Sequence, residues 1–376
     1  MVQYTEKDLL RIAKRINNPK RTYLLVNPFQ GKHIPVDPNI ALHMMADLGR
    51  TIKEQYPGNP LVIAFSETAT AIGAAVAAEI GEQCVYLQTT REQDEIIQKW
   101  IYFSEEHSHA TEQKLCGDDL EQRINGCDYI LLVDDEISTG KTIMNTVSAI
   151  RKFCVSARQK RFVVASIINR VENIESFSAH SIAFVYLLHL NALKCEEMVK
   201  ETSVSEAQSA QDSMAIAVPD VVRLCTPIPT PRRGVVMKDY LEACRRIVSE
   251  ILYHVSLGNA ESVLVLGTEE FMYPPLLLAK KLSIENTEMT VRFHATTRSP
   301  IGICSAKNYP IYNGCKLPSV YSEDRVTYLY DIESYDLVIV FSDAEQVVPE
   351  AIESLQQSLV IKGCSKVLFF YGSNHV

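Results

Sequence analysis

The sequence lacks the cysteine patterns that mark a structural metal site or a redox motif. Its ten cysteines are scattered, and no two of them have the Cys-x-x-Cys spacing that zinc ribbons and thioredoxin-like motifs need. No cysteine–histidine spacing is typical of a zinc site either. We therefore expect reduced thiols in a cytosolic protein.

Long apolar runs and an excess of basic residues are also missing. No run approaches the ~18 apolar residues that a membrane-spanning helix needs. The N-terminal stretch MVQYTEKDLLRIAKR is charged throughout, unlike a signal peptide. The formal net charge of −9 argues against a general nucleic-acid-binding surface. The sequence thus predicts a cytoplasmic protein that binds neither membranes nor nucleic acids.

Short apolar runs that alternate with helical patterns are present instead. The runs are LVIAF (61–65), CVYLQ (84–88), YILLV (129–133), RFVVASII (161–168) and SIAFVYLL (181–188). Continuous apolar strands that alternate with helices predict an α/β fold with a doubly wound parallel sheet. Ligands bind such sheets beyond the carboxyl ends of the strands, so the polar loops after these runs form the candidate site.

The length of 376 residues suits two domains. A polar, proline-containing stretch over 191–233 predicts a connector between a first domain, 1–190, and a second α/β domain, 234–376. Four segments of the second domain match the first in the same order, and both copies contain Thr-Thr-Arg, at 89–91 and 296–298. This collinearity predicts an internal duplication with a degenerate second copy; the alternative is that two doubly wound sheets look alike at this level.

The loop VDDEISTGKT (133–142) follows a buried strand and ends like a triphosphate-binding loop. That loop type would need a glycine where Asp135 stands. A carboxylate there would repel a triphosphate by about 4 kcal/mol at ~4 Å and an effective dielectric of about 20. Two adjacent acids suit the hydroxyls of a ribose, and the small residues that open the next helix suit one phosphate. A nearby Mg²⁺ would relieve the repulsion between the acids.

VDDEISTGKT resembles the phosphoribosyl-diphosphate (PRPP) signature of the type I phosphoribosyltransferases. The chain also resembles a subgroup associated with tellurite-resistance and stress-response genes. In that subgroup the phosphoribosyltransferase domain precedes a TRSP domain, named for a Thr-Arg-Ser-Pro motif that stands here at 297–300. The segments GKHIPVDP (31–38), FSETATAIG (65–73), TTRE (89–92) and EEHSHATEQ (105–113) carry the same resemblance.

The resemblance implies roles for the residues that match the motif. Asp134 and Asp135 would act in catalysis by binding the ribose hydroxyls, directly or through Mg²⁺. The residues implied for the 5-phosphate of PRPP are Ser138, Thr139, Gly140, Lys141 and Thr142. The residues implied for pyrophosphate are Ser66, Glu67, Thr68, Ala69 and Arg91. Arg91 would neutralise the leaving group.

Two further segments complete the predicted site. The polar stretch from Glu92 to Gly126 would form a hood over PRPP that excludes water, and His107 and His109 within it would meet pyrophosphate oxygens. The segment from Asn27 to Val36 would line the base pocket. Ser138 departs from the purine-salvage members, which carry an aspartate at this position to handle a proton on the base. The base therefore stays unidentified.

The second domain keeps a set of donors that suits an anion, Thr296, Thr297, Arg298 and Ser299. Its copy of the phosphoribosyl loop reads SDAEQVVPE, with one matching acid, Asp343. The second domain would replace a dimer partner and cover or complete the first active site, or it would bind a second substrate or an effector. The predicted assembly is a homodimer or a pseudo-dimer through the second domain.

The predicted function is a Mg²⁺- and PRPP-dependent phosphoribosyltransferase. It would move 5-phosphoribosyl between pyrophosphate and an unidentified base, for a nucleotide-like stress metabolite. The alternative is a non-catalytic regulator that senses PRPP or a nucleotide on the same fold. A kinase or ATPase has only the Gly-Lys-Thr sequence in its favour.

Overall fold

The structure is a computed structural model that describes residues 3–104, 113–190, 195–209 and 219–372. The strands, in chain order, are β1 Arg11–Lys14, β2 Tyr23–Val26, β3 Leu61–Ala64, β4 Val85–Gln88, β5 Trp100–Phe103, β6 Gln113–Cys116, β7 Ile130–Ile137, β8 Phe162–Asn169, β9 Ile182–His189, β10 Asp220–Arg223, β11 Val235–Val236, β12 Ser262–Gly267, β13 Thr290–Ala295, β14 Gly314–Ser319, β15 Ser322–Tyr330, β16 Leu337–Ser342 and β17 Lys366–Tyr371.

The helices, in chain order, are α1 Glu6–Leu9, α2 Pro38–Gln55, α3 Thr70–Ile80, α4 Leu120–Asn125, α5 Lys141–Phe153, α6 Glu175–Ser178, α7 Cys195–Lys200, α8 Met237–His254, α9 Tyr273–Glu285 and α10 Pro349–Ile361. Residues Ser156–Arg158 form a 3-10 turn. Within the described ranges, no helix combines the length and the apolar character that crossing a membrane requires.

The chain folds into two compact units, each built from separate chain segments. The first unit contains Met1–Thr5, Leu42–Leu193 and Thr230–Glu242. The second contains Glu6–Ala41, Lys194–Pro229 and Ala243–Val376. The N-terminal segment therefore packs with the second unit, although it precedes the first sheet along the chain. The domain boundaries expected at 190 and 233 stay a prediction, because compactness alone does not define a domain.

A six-stranded sheet forms the centre of the first unit. Its strand order is β11-β4-β3-β7-β8-β9, and every neighbouring pair is parallel except β11 with β4. The five apolar runs noted in the sequence are the five parallel strands, which confirms the predicted α/β class. All eight residues of β8 are buried, as expected for a strand that is covered on both faces.

Helix α3 packs closely on β3 because Gly73 has no side chain. A Cβ atom at Gly73 would lie 2.3 Å from the Cβ of Ala64, well inside van der Waals contact. Helix α5 presents Ile143, Val147 and Ile150 to the core, at the spacing of one helical face. These contacts fix the start of α3 and the start of α5, where the candidate loops lie.

The second unit contains a five-stranded parallel sheet with the order β10-β17-β16-β12-β13. One hydrophobic core lies between this sheet, α10 and the antiparallel hairpin β14–β15. A second, smaller core joins the hairpin β1–β2 to residues that include Ile301, Ile311 and Tyr330.

The two sheets share one arrangement of strands. The spatial order β4-β3-β7-β8 in the first unit matches β13-β12-β16-β17 in the second. In each unit an antiparallel hairpin, β5–β6 or β14–β15, is inserted at the same point of the chain order. A doubly wound sheet does not require such a hairpin, so its presence in both units favours the duplication.

Candidate active site

Three polar loops meet at one edge of the sheet in the first unit. They follow β3, β4 and β7, which are parallel neighbours. Ala64, the last residue of β3, pairs with Val133 of β7 and also with Gln88 of β4. The loops of residues 65–69, 89–91 and 138–140 therefore begin at the carboxyl edge of the same sheet, where α/β proteins bind ligands.

The acid pair of β7 is joined directly to the loop after β3. The Thr68 hydroxyl donates to Oδ1 of Asp135 over 2.7 Å. Oδ1 of Asp134 accepts the backbone N–H of Asp135 at 2.9 Å. The next acid, Glu136, forms a 2.9 Å ion pair with Arg170. The charge of Glu136 is thus compensated within the protein, whereas Asp134 and Asp135 lie beside the loop.

Burial raises the pKa of Asp135 above its ordinary value. The hydrogen bonds from Thr68 and from Asp134 act in the opposite direction, and the charge of Glu136 adds to the rise. The ionised form of Asp135 is therefore disfavoured in the ligand-free protein. A ligand that brings hydroxyl donors or a cation to this carboxylate would favour that form.

The carboxylate oxygens of Asp134 and Asp135 are candidate ligands for a metal ion. Within the described residues there is no group of three or more His, Cys, Asp or Glu side chains that could hold a metal ion. Two carboxylates nevertheless suit Mg²⁺, which is commonly held by one or two carboxylates together with substrate phosphates and waters. Asp134 and Asp135 thus fit a magnesium ion that is shared with a phosphorylated substrate.

The loop of residues 66–69 is held by a buried hydrogen-bond network. The Ser66 N–H donates to the Thr89 hydroxyl at 2.9 Å. The Gln113 amide donates to the Ser66 carbonyl, and its oxygen accepts the Ser66 hydroxyl at 3.0 Å and the Thr89 hydroxyl at 2.6 Å. The peptide bond between Ser66 and Glu67 is cis.

Sequence reasoning missed Thr89 and Gln113, both of which are fully buried. Thr89 had a signal, because it opens the Thr-Thr-Arg tripeptide that both halves of the chain contain. Gln113 had none. It lies at the start of β6, 47 residues from Ser66, and only the folded hairpin brings the two together.

The predicted phosphate loop forms the tight entry into α5. Gly140, the residue before the helix, has φ +81°, and a Cβ atom there would lie 2.5 Å from Cζ of Phe177. Glycine satisfies both constraints. Thr139 and Lys141 are exposed, and Ser138 and Thr142 are partly buried. The N–H groups in the first turn of an α-helix have no acceptor within the helix, so they favour an anion.

Arg91 follows the end of β4 and is partly buried. Its neighbour Thr90 exchanges two backbone hydrogen bonds with Lys114 of β6, at 2.9 and 3.0 Å. Another arginine, Arg233, forms a bidentate ion pair with Asp94, three residues after Arg91 in the sequence, at 2.8 and 2.9 Å. Arg91 thus stands at the predicted edge of the sheet. His107 and His109 lie outside the described residues.

The segment expected to line the base pocket is largely buried within the second unit. Val36 pairs with Phe293, and the Lys32 ammonium donates to the carbonyls of Glu269 at 2.6 Å and Thr296 at 2.9 Å. Burial, aided by the charge of Lys32, lowers the pKa of His33 well below its ordinary value. His33 is therefore neutral at physiological pH. A role of this segment in base binding stays a prediction.

In the second unit, the residues predicted to form an anion site lie together after β13. The Thr296 hydroxyl accepts the Glu269 N–H at 3.0 Å. Thr297 exchanges backbone hydrogen bonds with Tyr328 at 2.9 and 2.7 Å. The Arg298 guanidinium donates to the Glu269 carboxylate at 2.5 Å, and the Ser299 N–H donates to the Thr297 hydroxyl at 3.2 Å.

Comparison with known proteins identifies families for most of the chain. Residues 9–189 match a family model described as phosphoribosyl transferase. Residues 230–359 match a model described as the TRSP domain, C-terminal to that transferase domain. A comparison with curated proteins gave no match.

Several solved structures are distantly similar to part of the chain. Adenine phosphoribosyltransferase from Rhodothermus marinus is 17% identical, with a TM-score of 0.36 over 49% of this chain and 96% of that one. The enzyme from Giardia lamblia, complexed with 9-deazaadenine, is 14% identical, with a TM-score of 0.35 over 48% and 94%. The enzyme from Trypanosoma brucei, in complex with AMP, pyrophosphate and ribose-5-phosphate, is 15% identical, with a TM-score of 0.33 over 49% and 77%.

The parallel sheet with an acid pair at its carboxyl edge lies in the part of the chain that matches the transferase family model. The expected membership of a tellurite-resistance subgroup is not tested by these matches and stays a prediction. Residues 9–189 thus form a region that matches the phosphoribosyl transferase family, and a region that matches the TRSP domain follows it over residues 230–359.

Proposed function

We propose that the first unit transfers a 5-phosphoribosyl group between pyrophosphate and a base, with PRPP as the donor. The observation that carries the proposal is the 2.7 Å hydrogen bond from Thr68 to Asp135. It joins the loop proposed for pyrophosphate to the acids proposed for the ribose. The loop that opens α5 begins at Ser138, three residues after Asp135. One bound PRPP molecule would touch all three parts.

The acids would hold the ribose during transfer. In the reaction the bond from C1 of the ribose to the pyrophosphate oxygen breaks, a bond from C1 to a ring nitrogen of the base forms, and the proton of that nitrogen passes to the departing pyrophosphate or to water. Positive charge develops on the ribose in between. Carboxylates at Asp134 and Asp135 accept hydrogen bonds from the 2- and 3-hydroxyls and stabilise this charge. The small loop that ends at Gly140 and the first turn of α5 would hold the 5-phosphate at the far end of the sugar.

The loop after β3 would receive the leaving group. Backbone N–H groups between Ser66 and Ala69 and the guanidinium of Arg91 supply donors for pyrophosphate oxygens. The network of Gln113 and Thr89 fixes the first residue of this loop before the substrate binds. Donors that are already in position need no reorganisation when charge moves to the leaving group, which is why they lower the barrier.

Magnesium is part of the proposal. Asp134 and Asp135 would hold the ion together with oxygens of PRPP. When bound, Mg²⁺ neutralises charge on the pyrophosphate group and on the two acids. The raised pKa of Asp135 supports this assignment, since a cation would relieve the cost of ionising a partly buried carboxyl group.

The proposal does not specify the base, the cellular role or the oligomeric state. Ser138 cannot carry a proton between the enzyme and a purine in the way that an aspartate can, so simple purine salvage is disfavoured. A nucleotide-like stress metabolite, a cytoplasmic location, and a homodimer or pseudo-dimer through the second domain stay predictions.

The test is a turnover screen. Bases are offered with PRPP and Mg²⁺, and nucleotides with pyrophosphate and Mg²⁺, while pyrophosphate is quantified and products are identified by mass. With the active pair, Asp134→Asn and Asp135→Asn should each lower kcat/KM by at least about a hundredfold, because the ribose is no longer held for attack. Glu82→Gln, which removes an exposed acid of the same unit, should leave it unchanged. An active enzyme that is indifferent to both aspartate changes would contradict the proposal.

The second candidate function is a PRPP- or nucleotide-sensing regulator without turnover. The serine at position 138 favours it, since a serine there does not transfer a proton to the base as an aspartate would. A sensor would bind PRPP in a manner that depends on Asp134 and Asp135 and would release no pyrophosphate with any base. Any turnover that these aspartates control removes this candidate.

A further inference from the structure

The second unit contains a counterpart of the candidate site, and hydrogen bonds align the two position by position. The Ser66 N–H donates to the Thr89 hydroxyl at 2.9 Å in the first unit. The Glu269 N–H donates to the Thr296 hydroxyl at 3.0 Å in the second. Glu269 is therefore the counterpart of Ser66.

The same alignment extends to the residues that follow on the neighbouring strands. The next threonine exchanges two backbone hydrogen bonds with the inserted hairpin in both units, so Arg298 is the counterpart of Arg91. Strand register extends the match, since Ala64 pairs with Val133 and Gly267 with Phe341. Asp343 is thus the counterpart of Asp135.

In the second unit Arg298, the counterpart of Arg91, is bound by a carboxylate of the chain itself, that of Glu269. Glu269 is only 1% exposed. Its Oε2 accepts from Nε of Arg298 at 2.5 Å and from Nη1 of Arg325 at 2.9 Å, and its other oxygen accepts the Ser319 hydroxyl. Two guanidiniums and a hydroxyl around one anionic group form the kind of donor set that binds a phosphate or a carboxylate.

Asp343, the counterpart of Asp135, also has a hydrogen-bond donor from the chain itself. The Tyr321 hydroxyl donates to Oδ1 of Asp343 at 2.6 Å and lies 2.6 Å from the Thr268 hydroxyl. Asp343 is 6% exposed. In the first unit the corresponding acid is proposed to accept a ribose hydroxyl, so a phenolic hydroxyl takes that place here. Helix α10 begins at Pro349, and the loop before it, AEQVV, contains neither glycine nor lysine.

We propose that the second unit is a self-occupied site, in which Glu269 fills an anion-binding position on Arg298, Arg325 and Ser319 and Tyr321 fills a hydroxyl position on Asp343. The anion predicted for this part of the sequence is then the chain's own carboxylate. The site binds no PRPP, and it accepts a small carboxylate or phosphate only when Glu269 is removed. The comparison with PRPP rests on the proposed function; the anion position itself rests on the hydrogen bonds alone.

Charge explains why the position would take an external anion once Glu269 is gone. Lys32 adds a third cation, since its ammonium donates to the Glu269 carbonyl at 2.6 Å. Glu270 also lies 3.6 Å from Arg298. Removal of Glu269 takes away the carboxylate that both guanidiniums contact, and the Arg298 and Arg325 side chains are only 16% and 26% exposed. Loss of the partner of a largely buried charge is unfavourable, and a small anion would replace that partner.

The test is anion rescue of Glu269→Ala. The variant should melt on the order of 10 °C below the wild-type protein. Sodium formate, titrated against chloride at constant ionic strength, should recover part of this loss, and inorganic phosphate should do so as well. The control is Glu285→Ala, which removes an exposed acid of the same unit that is paired with Lys281. The two anions should raise the melting temperatures of the wild-type protein and of this control equally little. Rescue equal to that of the control would overturn the proposal.

A second experiment applies even if Glu269→Ala does not fold. Glu269→Gln, Arg298→Met and the double variant are compared by melting temperature. If Glu269 is the anion held by Arg298, the double variant should melt well above the temperature that the sum of the two single shifts gives. Additive shifts would contradict the proposal. Neither experiment uses PRPP or turnover, so failure of the proposed transferase activity would leave both results interpretable.

Discussion

Gln113 offers the sharpest prediction, because it is buried, has no individual role assigned from the sequence and is linked to the loop proposed for pyrophosphate. The change Gln113→Leu keeps a side chain of similar size and removes three hydrogen bonds, two to Ser66 and one to Thr89. The Thr89 hydroxyl keeps its bond from the Ser66 N–H. The Ser66 carbonyl loses the partner that the amide supplied.

The magnitude follows from the number of polar groups that lose this partner. A buried polar group left without a partner costs ~1–3 kcal/mol. The Ser66 carbonyl bears that cost fully, and the Ser66 and Thr89 hydroxyls bear part of it. We expect a loss of roughly 2–4 kcal/mol in the free energy of unfolding. If the loop shifts by about 1 Å, the rate should fall about a hundredfold.

The assay pairs thermal or urea unfolding with turnover of the active substrate. We expect kcat/KM to fall for the reaction with pyrophosphate or PRPP, with Gln122→Leu as the control. That variant makes the same chemical change on an exposed residue of α4 and should keep both stability and rate. A Gln113→Leu enzyme with reduced stability and a wild-type kcat/KM would show that the network serves folding alone and does not position the loop.

Two other predictions concern the acid pair and the phosphate loop. The pKa of Asp135 is raised by burial, so its ionisation destabilises the ligand-free fold as pH rises through that pKa. Asp135→Asn should therefore be more stable than the ligand-free wild-type protein at neutral pH. This gain in stability should disappear below about pH 3.9, the pKa of an aspartate in the unfolded state. A variant that is less stable than the wild-type protein at neutral pH would contradict this. Gly140→Ala should cost about 1–2 kcal/mol from its left-handed φ, with more from the 2.5 Å approach to Phe177, and should weaken PRPP binding. The control Gly126→Ala, with φ −80° and no atom nearer than 3.7 Å, should be neutral, and equal melting temperatures for the two variants would count against the assignment.

The strands and the site edge could be predicted because they follow from local patterns. Apolar runs such as 129–133 can only be buried strands or helices, and their short length with β-branched residues favours strands. Once the strands are parallel, the loops after them must share an edge. Asp134, Asp135 and the residues from Ser138 to Thr142 were therefore locatable from the sequence.

Long-range pairings could not be predicted in the same way. Gln113 carries no pattern that points to Ser66, since the contact depends on how the hairpin β5–β6 folds back on the sheet. Arg298 illustrates the opposite problem. Its motif predicted an anion site, but the partner, Glu269, stands after a different strand and is brought near only by the parallel pairing of β12 and β13. The N-terminal segment likewise precedes the first sheet in sequence, yet it folds with the second unit.

The acids of β7 and the loops beside them are proposed to form a site for PRPP. Calorimetric titration of the full chain with PRPP and Mg²⁺ measures this binding. We expect one PRPP per chain with micromolar affinity, lost in Asp134→Asn and Asp135→Asn and retained in Arg298→Met. Tight binding of ATP with no response to PRPP would contradict it.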